Sequence, residues 1–199
     1  MMIVITSDSR NRMIQSAALL FREHGYSGTG FRDVIEHSGA PRGSIYHHFP
    51  GGKEQLAADT VAWAAGVMER RIERAARSGH PVAALGIFVD AWREMLEDSN
   101  FRAGCPIIAV AAEADAGSTA TEAAAAAFTR WQDLISRALL DAGASRIDAR
   151  RLATLVVASV EGAILLCRAR RDIRPLRDVH RALEATLRTA ISWHGSSVE

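Results

Sequence analysis

Cysteine is scarce in this chain of 199 residues, and its two cysteines, Cys105 and Cys167, stand far apart. Neither belongs to a CxxC pair or to another metal-ligand spacing, which is typical of a protein from a reducing cytoplasm. We expect both thiols to be small core residues rather than a redox pair. The start of the chain lacks a positive lead and an apolar run of signal-peptide length, so we expect no export.

Long hydrophobic runs are also lacking. The most apolar stretch, residues 152–167, is interrupted by Thr154, Ser159 and Glu161 and has arginines on both sides. A membrane span requires about 18 uninterrupted apolar residues, and this stretch has fewer, so it predicts a buried helix. A membrane-associated helical protein is the alternative, in which this stretch would partition into detergent.

Motifs that would indicate an enzyme are missing. We find no metal-ligand spacing, no Gly-x-Ser-x-Gly elbow, no phosphate loop and no pair of acids placed for acid and base work. His47 and His48 are adjacent and therefore point to different sides of a helix, so they do not easily ligate one metal. We expect no catalytic residue, no metal and no cofactor.

An excess of charge of one sign is missing as well. The formal net charge is +1, and residues 1–60 hold six basic and six acidic side chains. Such a balance counts mildly against a polyanionic partner. Four of the seven histidines lie in this segment, however, and a dimer needs only a local basic rim at the phosphates.

What the sequence does have is a short helix held between two breakers. Pro41 precedes it and Pro50 with two glycines follows it, which limits the helix to residues 42–49. At about 100° per residue, Ile45 and Phe49 share one face, which we expect to anchor the helix. The opposite face displays small, polar and aromatic residues: Gly43, Ser44, Tyr46 and His47. That surface suits a DNA groove better than a protein core.

Another predicted helix precedes this one. Thr29 is placed to cap a helix over residues 30–37, with Asp33 in its early turns and Gly39 as its stop. A helix, a turn of about four residues with glycine and a second short helix form a helix-turn-helix. In that motif the second helix enters the major groove, and the first crosses the DNA backbone.

The rest of the chain is predicted to be helical throughout. Apolar periodicity and breakers predict helices over about residues 9–24, 52–77, 81–97, 106–115, 119–143, 146–170 and 176–194, the sixth of these capped by Ser145. We find no strand of length and no internal repeat. The predicted fold is therefore all-α with about nine helices: a three-helix DNA-binding domain, residues 1–55, and a larger effector-binding and dimerisation domain, residues 56–199.

Many positions of the first sixty residues match one family in register. They are Gly25-Tyr26, Thr29, Phe31-Arg32-Asp33-Val34-Ile35, Ser38-Gly39, Gly43-Ser44-Ile45-Tyr46-His47-His48-Phe49 and Lys53-Glu54-Gln55-Leu56. Over roughly residues 8–60 the chain resembles the TetR family of transcriptional regulators. The segments at 49–53 and 104–108 are similar to the LmrA/YxaF-like branch, whose members are described as drug-responsive repressors. The resemblance implies nine helices, and effectors that bind among the middle helices and shift the spacing of the two motifs.

The candidate DNA-binding residues lie in and around the helix-turn-helix: Thr29, Arg32, Arg42, Gly43, Ser44, Tyr46, His47 and Lys53. We expect Ser44, Tyr46 and His47 nearest the bases, with Thr29, Tyr46 and Lys53 at phosphates and the two arginines helping at the backbone. A cation such as Lys53 at a helix start costs about 0.3–1 kcal/mol, and a phosphate docked there would reverse the sign. A solvated lysine paired with nearby acids is the alternative.

The last two helices predict a dimer interface. They carry small residues that allow close helix approach and apolar residues that supply burial: Leu155, Ala158, Ser159, Gly162, Ala163, Leu166, Val179, Leu183, Leu187 and Ile191. Two copies would form an intermolecular four-helix bundle, and a helix-turn-helix needs a two-fold dimer. Packing within one chain is the alternative, because such a helix also suits a central core.

The middle helices carry the candidate effector-binding residues, which are mostly large and apolar: Phe88, Trp92, Met95, Cys105, Ile108, Phe128, Trp131, Ile135 and Glu161. Such a set suits a cavity for a drug-sized molecule, although an aromatic stripe is also typical of plain core. Glu161 either pairs with an arginine, such as Arg130 or Arg93, or awaits a cationic ligand.

Taken together, the sequence predicts a cytoplasmic, homodimeric repressor of the TetR family. It would bind a palindromic double-stranded DNA operator and be released by a small apolar or cationic effector, with no membrane partner. A helical small-molecule carrier without DNA binding is the alternative from another class. In that case alanine at Tyr46 and His47 would leave every activity intact.

Overall fold

The computed structural model describes residues 9–77 and 80–195, with side chains up to residue 191. These residues form nine helices and no strand: α1 Ser9–His24, α2 Phe31–Ser38, α3 Ser44–His48, α4 Gly52–Ala76, α5 Pro81–Asp98, α6 Pro106–Glu113, α7 Thr119–Asp141, α8 Arg146–Arg170 and α9 Arg174–Gly195. The predicted all-α class is confirmed. The start of the chain, on which the expectation about export rests, lies outside the described residues.

Local sequence signals set most helix ends. Gly39, in the left-handed region with a φ of 63°, ends α2. Pro81 and Pro106 occupy the first turns of α5 and α6, where a missing N–H costs nothing. Ser145 accepts a hydrogen bond from the Asp148 N–H at 3.1 Å and thereby caps α8, as the sequence predicts.

The start of α2 departs from the sequence-based expectation. The helix begins at Phe31 and its N-cap is Gly30, whose N–H donates to the Asp33 carboxylate at 2.7 Å. Thr29 instead turns inward and donates its hydroxyl to the Gly25 carbonyl at 2.9 Å. The predicted Thr29 cap is therefore wrong, because its side chain closes the end of α1 and Asp33 supplies the capping acceptor.

Substitution of Asp33 tests this cap. We expect Asp33→Ala to lower the free energy of unfolding by about 0.5–1 kcal/mol, because it removes the acceptor for Gly30 and a negative charge from the first turn. Asp33→Asn keeps an acceptor oxygen and should lose less. Urea denaturation followed by circular dichroism measures both, and equal stability of Asp33→Ala and the wild type would contradict the assignment.

The chain divides into two compact units. One contains the chain up to Gly66 together with Cys105–Ala127, and the other contains Val67–Gly104 together with the chain from Phe128 onward. Helices α4 and α7 each contribute residues to both units. The first unit thus includes α6 and the start of α7 in addition to the helix-turn-helix, whereas a module boundary at residue 55 remains a sequence-based proposal.

In the first unit, the core positions the two motif helices. Val34 of α2 and Ile45 of α3 are fully buried, as are Met13 and Ala17 of α1. Helix α6 also packs on α1 through its buried residues. The Arg10 guanidinium bonds Asp59 at 2.6 Å and lies 5.4 Å from the Phe49 ring centroid, where it joins the end of the motif to α4.

In the second unit, α8 packs against both α9 and α5. The buried face of α8 includes Val156, Val160 and Ile164. Among the described residues, α8 is the one helix that is long and apolar enough to cross a membrane, but half of its most apolar window is buried within the chain. A core helix of a soluble protein has the same property.

Candidate nucleic-acid interface

Helix α3 has the orientation that its sequence predicts. Ile45 and Phe49 are 0% and 1% exposed, whereas Gly43, Tyr46 and His47 are exposed. The helix is shorter than expected, because Gly43 acts as its N-cap and Arg42 lies in the preceding turn. The buried pair therefore anchors a five-residue helix whose opposite face is open.

The exposed face of α3 offers hydrogen-bonding and aromatic groups. Tyr46 is 67% exposed, and its ring meets the Phe31 ring edge-to-face with centroids 5.6 Å apart. The Ser44 hydroxyl donates to the Pro41 carbonyl at 2.7 Å and keeps an oxygen lone pair for a further donor. Around Gly43 a Cβ atom would meet nothing within 4 Å, so a ligand can approach the backbone there.

Cationic side chains lie beside this face. Arg32 and Arg42 are both exposed, and neither forms an ion pair within the described part of the chain. Lys53, in the first turn of α4, is partly buried, and its Nζ lies 4.4 Å from the Tyr26 ring centroid. These three residues can provide a local basic rim beside α3, although residues 1–60 as a whole have no excess of positive charge.

Burial makes Lys53 unlike an ordinary surface lysine. Desolvation lowers its pKa, while the carboxylates of Glu113 and Asp33 act in the opposite direction. Its Nζ also donates to the Ser27 carbonyl at 3.4 Å. Acids of the kind named in the alternative, Glu113 and Asp33, thus act on Lys53, and its contact with a phosphate stays a prediction.

Thr29 occupies a different place from the other candidates. It is 2% exposed, and its hydroxyl is engaged with the Gly25 carbonyl. The structure therefore gives its side chain a role inside the motif rather than on the displayed face.

The predicted effector residues do not form one cluster in the structure. A narrow apolar cleft lies in the second unit and contains Phe88 and Ile135 in its lining. The other lining residues are small or aliphatic: Ile72, Ala75, Ala76, Pro81, Ala84, Leu85, Ala138, Leu139, Val156 and Leu187. These residues were not predicted as effector-binding from the sequence, because helical periodicity identifies an apolar face but not the helix on which that face packs.

The remaining effector candidates are distributed between the two units. Cys105 and Ile108 belong to the first unit, whereas Trp92, Met95, Phe128, Trp131 and Glu161 belong to the second. Trp92 and Trp131 are 4% and 2% exposed, and each meets a phenylalanine ring edge-to-face. None of these residues lines the apolar cleft.

Glu161 is 5% exposed, as expected for a carboxylate in an apolar stretch. The arginines suggested as its partners bind other carboxylates: Arg130 bonds Glu69 at 2.7 Å, and Arg93 bonds Asp90 and Glu97 at 3.3 Å. The predicted pairing with Arg130 or Arg93 is therefore wrong. Both arginines reach acids that keep contact with solvent, on their own or another helix, where desolvation costs less than at the buried Glu161.

The predicted dimerisation residues fall into two groups. Leu155, Ala158 and Leu166 are exposed on one stripe of α8, with Ser159 and Gly162 partly exposed between them. By contrast, Ala163, Leu183 and Leu187 are at most 3% exposed and belong to the core of the unit, while Val179 and Ile191 are partly exposed. A periodic pattern alone does not separate core from interface on such apolar helices.

Two contacts beside the interface have no local sequence signal. Glu113 accepts a hydrogen bond from the Ser27 N–H, and Glu54 accepts two from Thr119. The partners are 86 and 65 residues apart. Within the described residues, no group of three or more histidine, cysteine or acidic side chains is placed to hold a metal ion.

Comparison with known families agrees with this arrangement. Residues 13–60 match the family of bacterial regulatory proteins, tetR family. Residues 81–182 match the C-terminal domain of LmrA/YxaF-like transcriptional regulators. The helix-turn-helix and most of the second unit are thus both covered.

Individual relatives extend the comparison over nearly the whole chain. An HTH-type transcriptional regulator of Mycobacterium tuberculosis (strain ATCC 25618 / H37Rv) is 43% identical over 184 residues, 89% of this chain and 93% of that protein. The HTH-type transcriptional regulator LmrA of Bacillus subtilis (strain 168) is 33% identical over 171 residues, 85% of this chain and 91% of that protein.

A solved structure shows the same fold. The regulatory protein TetR from Rhodobacter sphaeroides aligns with a TM-score of 0.81 at 23% identity, over 89% of this chain and 97% of that chain. The structural likeness shows the fold alone, whereas the two family matches and the relatives above 30% identity show the family. The chain therefore belongs to the TetR family of transcriptional regulators, in its LmrA/YxaF-like branch.

Proposed function

We propose that this regulator is a cytoplasmic, homodimeric, non-enzymatic repressor that binds a palindromic operator and is released by a small, mainly apolar effector. The observation that carries the proposal is the two-sided character of α3, with Ile45 and Phe49 buried and Tyr46 and His47 exposed. A helix that must be held by its neighbours, with its polar face left open, is suited to a DNA groove.

The residues in and around α3 divide by role. Ser44, Tyr46 and His47 supply donors, acceptors and an aromatic ring for base edges, and the exposed backbone at Gly43 permits close approach. Arg32, Arg42 and Lys53 supply cations for the DNA backbone. Thr29, whose hydroxyl bonds Gly25, contributes by fixing the chain before α2.

A two-fold dimer places two copies of α3 about one turn of DNA apart, ~34–36 Å, or a multiple of it. The stripe formed by Leu155, Ala158, Ser159, Gly162 and Leu166 supports α8 as the contact surface, because an exposed apolar stripe marks an interaction site. Its small residues permit the close approach of two helices. Buried residues of α9 would support this face from within the chain.

The apolar cleft of the second unit is the proposed effector site. Its lining is aliphatic and aromatic, which suits an apolar molecule. An effector that binds more tightly to a conformation that cannot bind the operator lowers operator affinity. By linkage, the operator lowers effector affinity by the same coupling free energy. Glu161 remains a proposed partner for a cationic group.

Operator selection tests the proposal. The purified protein is used to enrich duplexes from a random-sequence pool, and the enriched duplex and the DNA upstream of its own gene are then titrated in gel shifts. We expect an inverted-repeat consensus and a complex whose log affinity falls linearly with log salt concentration. The absence of a sequence-selective, salt-dependent complex would overturn the function.

A cleft-filling substitution tests the effector site. We expect Ala138→Phe to abolish the thermal stabilisation that apolar or cationic compounds give the wild type, because the added ring occupies the cleft. Operator affinity should stay within about threefold of the wild type. A compound that still stabilises the variant by the full amount binds elsewhere and contradicts this site.

The cleft also favours a second candidate, a small-molecule carrier that does not bind DNA. The two functions differ in what the α3 surface does. In a carrier, changes at Tyr46 and His47 leave ligand binding and every other activity intact. Selective loss of operator binding in the same variants supports the repressor.

A further inference from the structure

Three parts of the first unit meet at the backbone of Ser27. On one side, the Ser27 N–H donates to the Glu113 carboxylate of α6 at 2.7 Å. On the other, the Ser27 carbonyl accepts from the Lys53 ammonium of α4 at 3.4 Å. Both backbone groups of a single residue in the α1–α2 connection are thus bound, one by an acidic side chain of α6 and the other by a basic side chain of α4.

Gly25 makes room for this contact. Its φ is +80°, a conformation that side-chain-bearing residues rarely adopt, and a Cβ placed there would lie 2.7 Å from Glu113 Oε1. The carboxylate therefore rests directly against the backbone at the end of α1. This close approach and the Ser27 hydrogen bond orient the carboxylate, although Glu113 is an exposed residue.

Lys53 is held in the same cluster. Its ammonium lies over the Tyr26 ring, at 4.4 Å from the centroid, and next to the Ser27 carbonyl. The negative charges of Glu113 and Asp33 favour its protonated form. The residue proposed to bind a DNA phosphate is thus oriented by the connection that Glu113 anchors.

The neighbouring residue of α4 has a similar link. Glu54 accepts from the Thr119 N–H at 2.7 Å and from its hydroxyl at 2.8 Å, and these bonds hold the pKa of Glu54 below its ordinary value. Glu113 ends α6 and Thr119 begins α7. The first turn of α4 and the α1–α2 connection are therefore held from both ends of the α6–α7 connection.

We propose that Glu113 is a positioning residue for operator binding, which fixes the backbone at Ser27 and through it the place from which Lys53 contacts a phosphate. The inference rests on the proposed DNA-binding function and assigns α6 a direct part in shaping the interface. Glu113 itself does not contact the DNA. It acts by restricting the conformational freedom of the groups that contact the DNA, so that less entropy is lost on binding.

Variants of Glu113 separate its hydrogen bond from its charge. Glu113→Ala removes both, whereas Glu113→Gln keeps an oxygen acceptor for Ser27 and loses only the charge. Glu122→Ala, which removes an exposed carboxylate from the first turn of α7, is the matched control. Operator affinity is measured on the duplex enriched by the wild type, at several salt concentrations.

We expect Glu113→Ala to weaken operator binding about tenfold and to reduce the magnitude of the salt slope by about one, the loss of one phosphate contact. Lys53→Gln should reduce the slope equally, and the double variant should lose no more than Lys53→Gln alone, because the two residues act through one contact. Glu113→Gln should restore most of the affinity. Glu122→Ala should match the wild type.

Hydrogen exchange gives an independent readout. We expect the Ser27 amide to be protected in the wild type, in Glu113→Gln and in Glu122→Ala, and to lose protection in Glu113→Ala. A Glu113→Ala variant with wild-type affinity, salt slope or Ser27 protection would overturn the inference, as would full additivity with Lys53→Gln. Failure of the wild type itself to bind any enriched duplex would overturn the proposed function and the inference with it.

Discussion

Replacing Tyr46 and His47 together by alanine should lower operator affinity by about 100- to 1,000-fold, or ~3–4 kcal/mol. The two side chains are neighbours on the open face of α3, and each is expected to contribute about 1–3 kcal/mol through base or phosphate contacts. Binding should therefore be lost without the removal of any buried side chain.

The fold should survive this change. Tyr46 is 67% exposed and His47 is exposed, so little apolar burial is lost. The main internal cost is the edge-to-face contact of Tyr46 with Phe31, worth about 0.5–1.5 kcal/mol. We therefore expect unchanged helicity and a melting temperature lower by only a few degrees, which separates lost recognition from lost structure.

His24→Ala provides the control, because His24 is an exposed histidine at the end of α1 and outside the proposed interface. It should bind the operator as the wild type does. Tyr46→Phe should lose only the share of affinity due to the hydroxyl. If the double alanine variant binds within about threefold of the wild type, α3 is not the recognition helix and the role assigned to its open face is wrong.

Much of the fold could be predicted from local signals. Pro41 and Pro50 lie on either side of α3. A period of 3.6 residues predicts that Ile45 and Phe49 are buried, even though it does not identify the residues on which they pack. The start of α8 follows from the Ser145 cap, and most of its length follows from an apolar period that continues to Cys167. Each of these predictions depends only on residues close in sequence.

The parts that could not be predicted depend on distant residues. Thr29 lies where a cap residue would be expected, but its hydroxyl finds the Gly25 carbonyl, while Asp33 captures the free N–H at Gly30. Glu113 and Ser27 meet across 86 residues. The lining of the cleft likewise depends on which apolar faces meet, and periodicity carries no information about partners.

The α8 stripe leads to the second large effect. We expect Leu155→Glu combined with Leu166→Glu to convert the protein to a monomer at micromolar concentration and to weaken operator binding more than about 100-fold. In a two-fold interface four glutamates would be brought into one contact surface and could not be desolvated without cost. A monomer also loses the gain of about 10²- to 10⁴-fold that comes from linking two half-site contacts.

The same substitutions should leave the single chain folded, because Leu155 and Leu166 are 44% and 46% exposed in it. A charge-matched control is Ile87→Glu with Leu140→Glu, which alters exposed apolar residues of α5 and α7 at 50% and 39% exposure. Sedimentation equilibrium and operator titration should separate the two variants: the α8 variant becomes monomeric and binds half-sites weakly, whereas the control remains dimeric with near wild-type affinity. If the α8 variant stays dimeric, the interface lies elsewhere. Equal dissociation of the control would also contradict the α8 interface, because the added charge would then act regardless of its position.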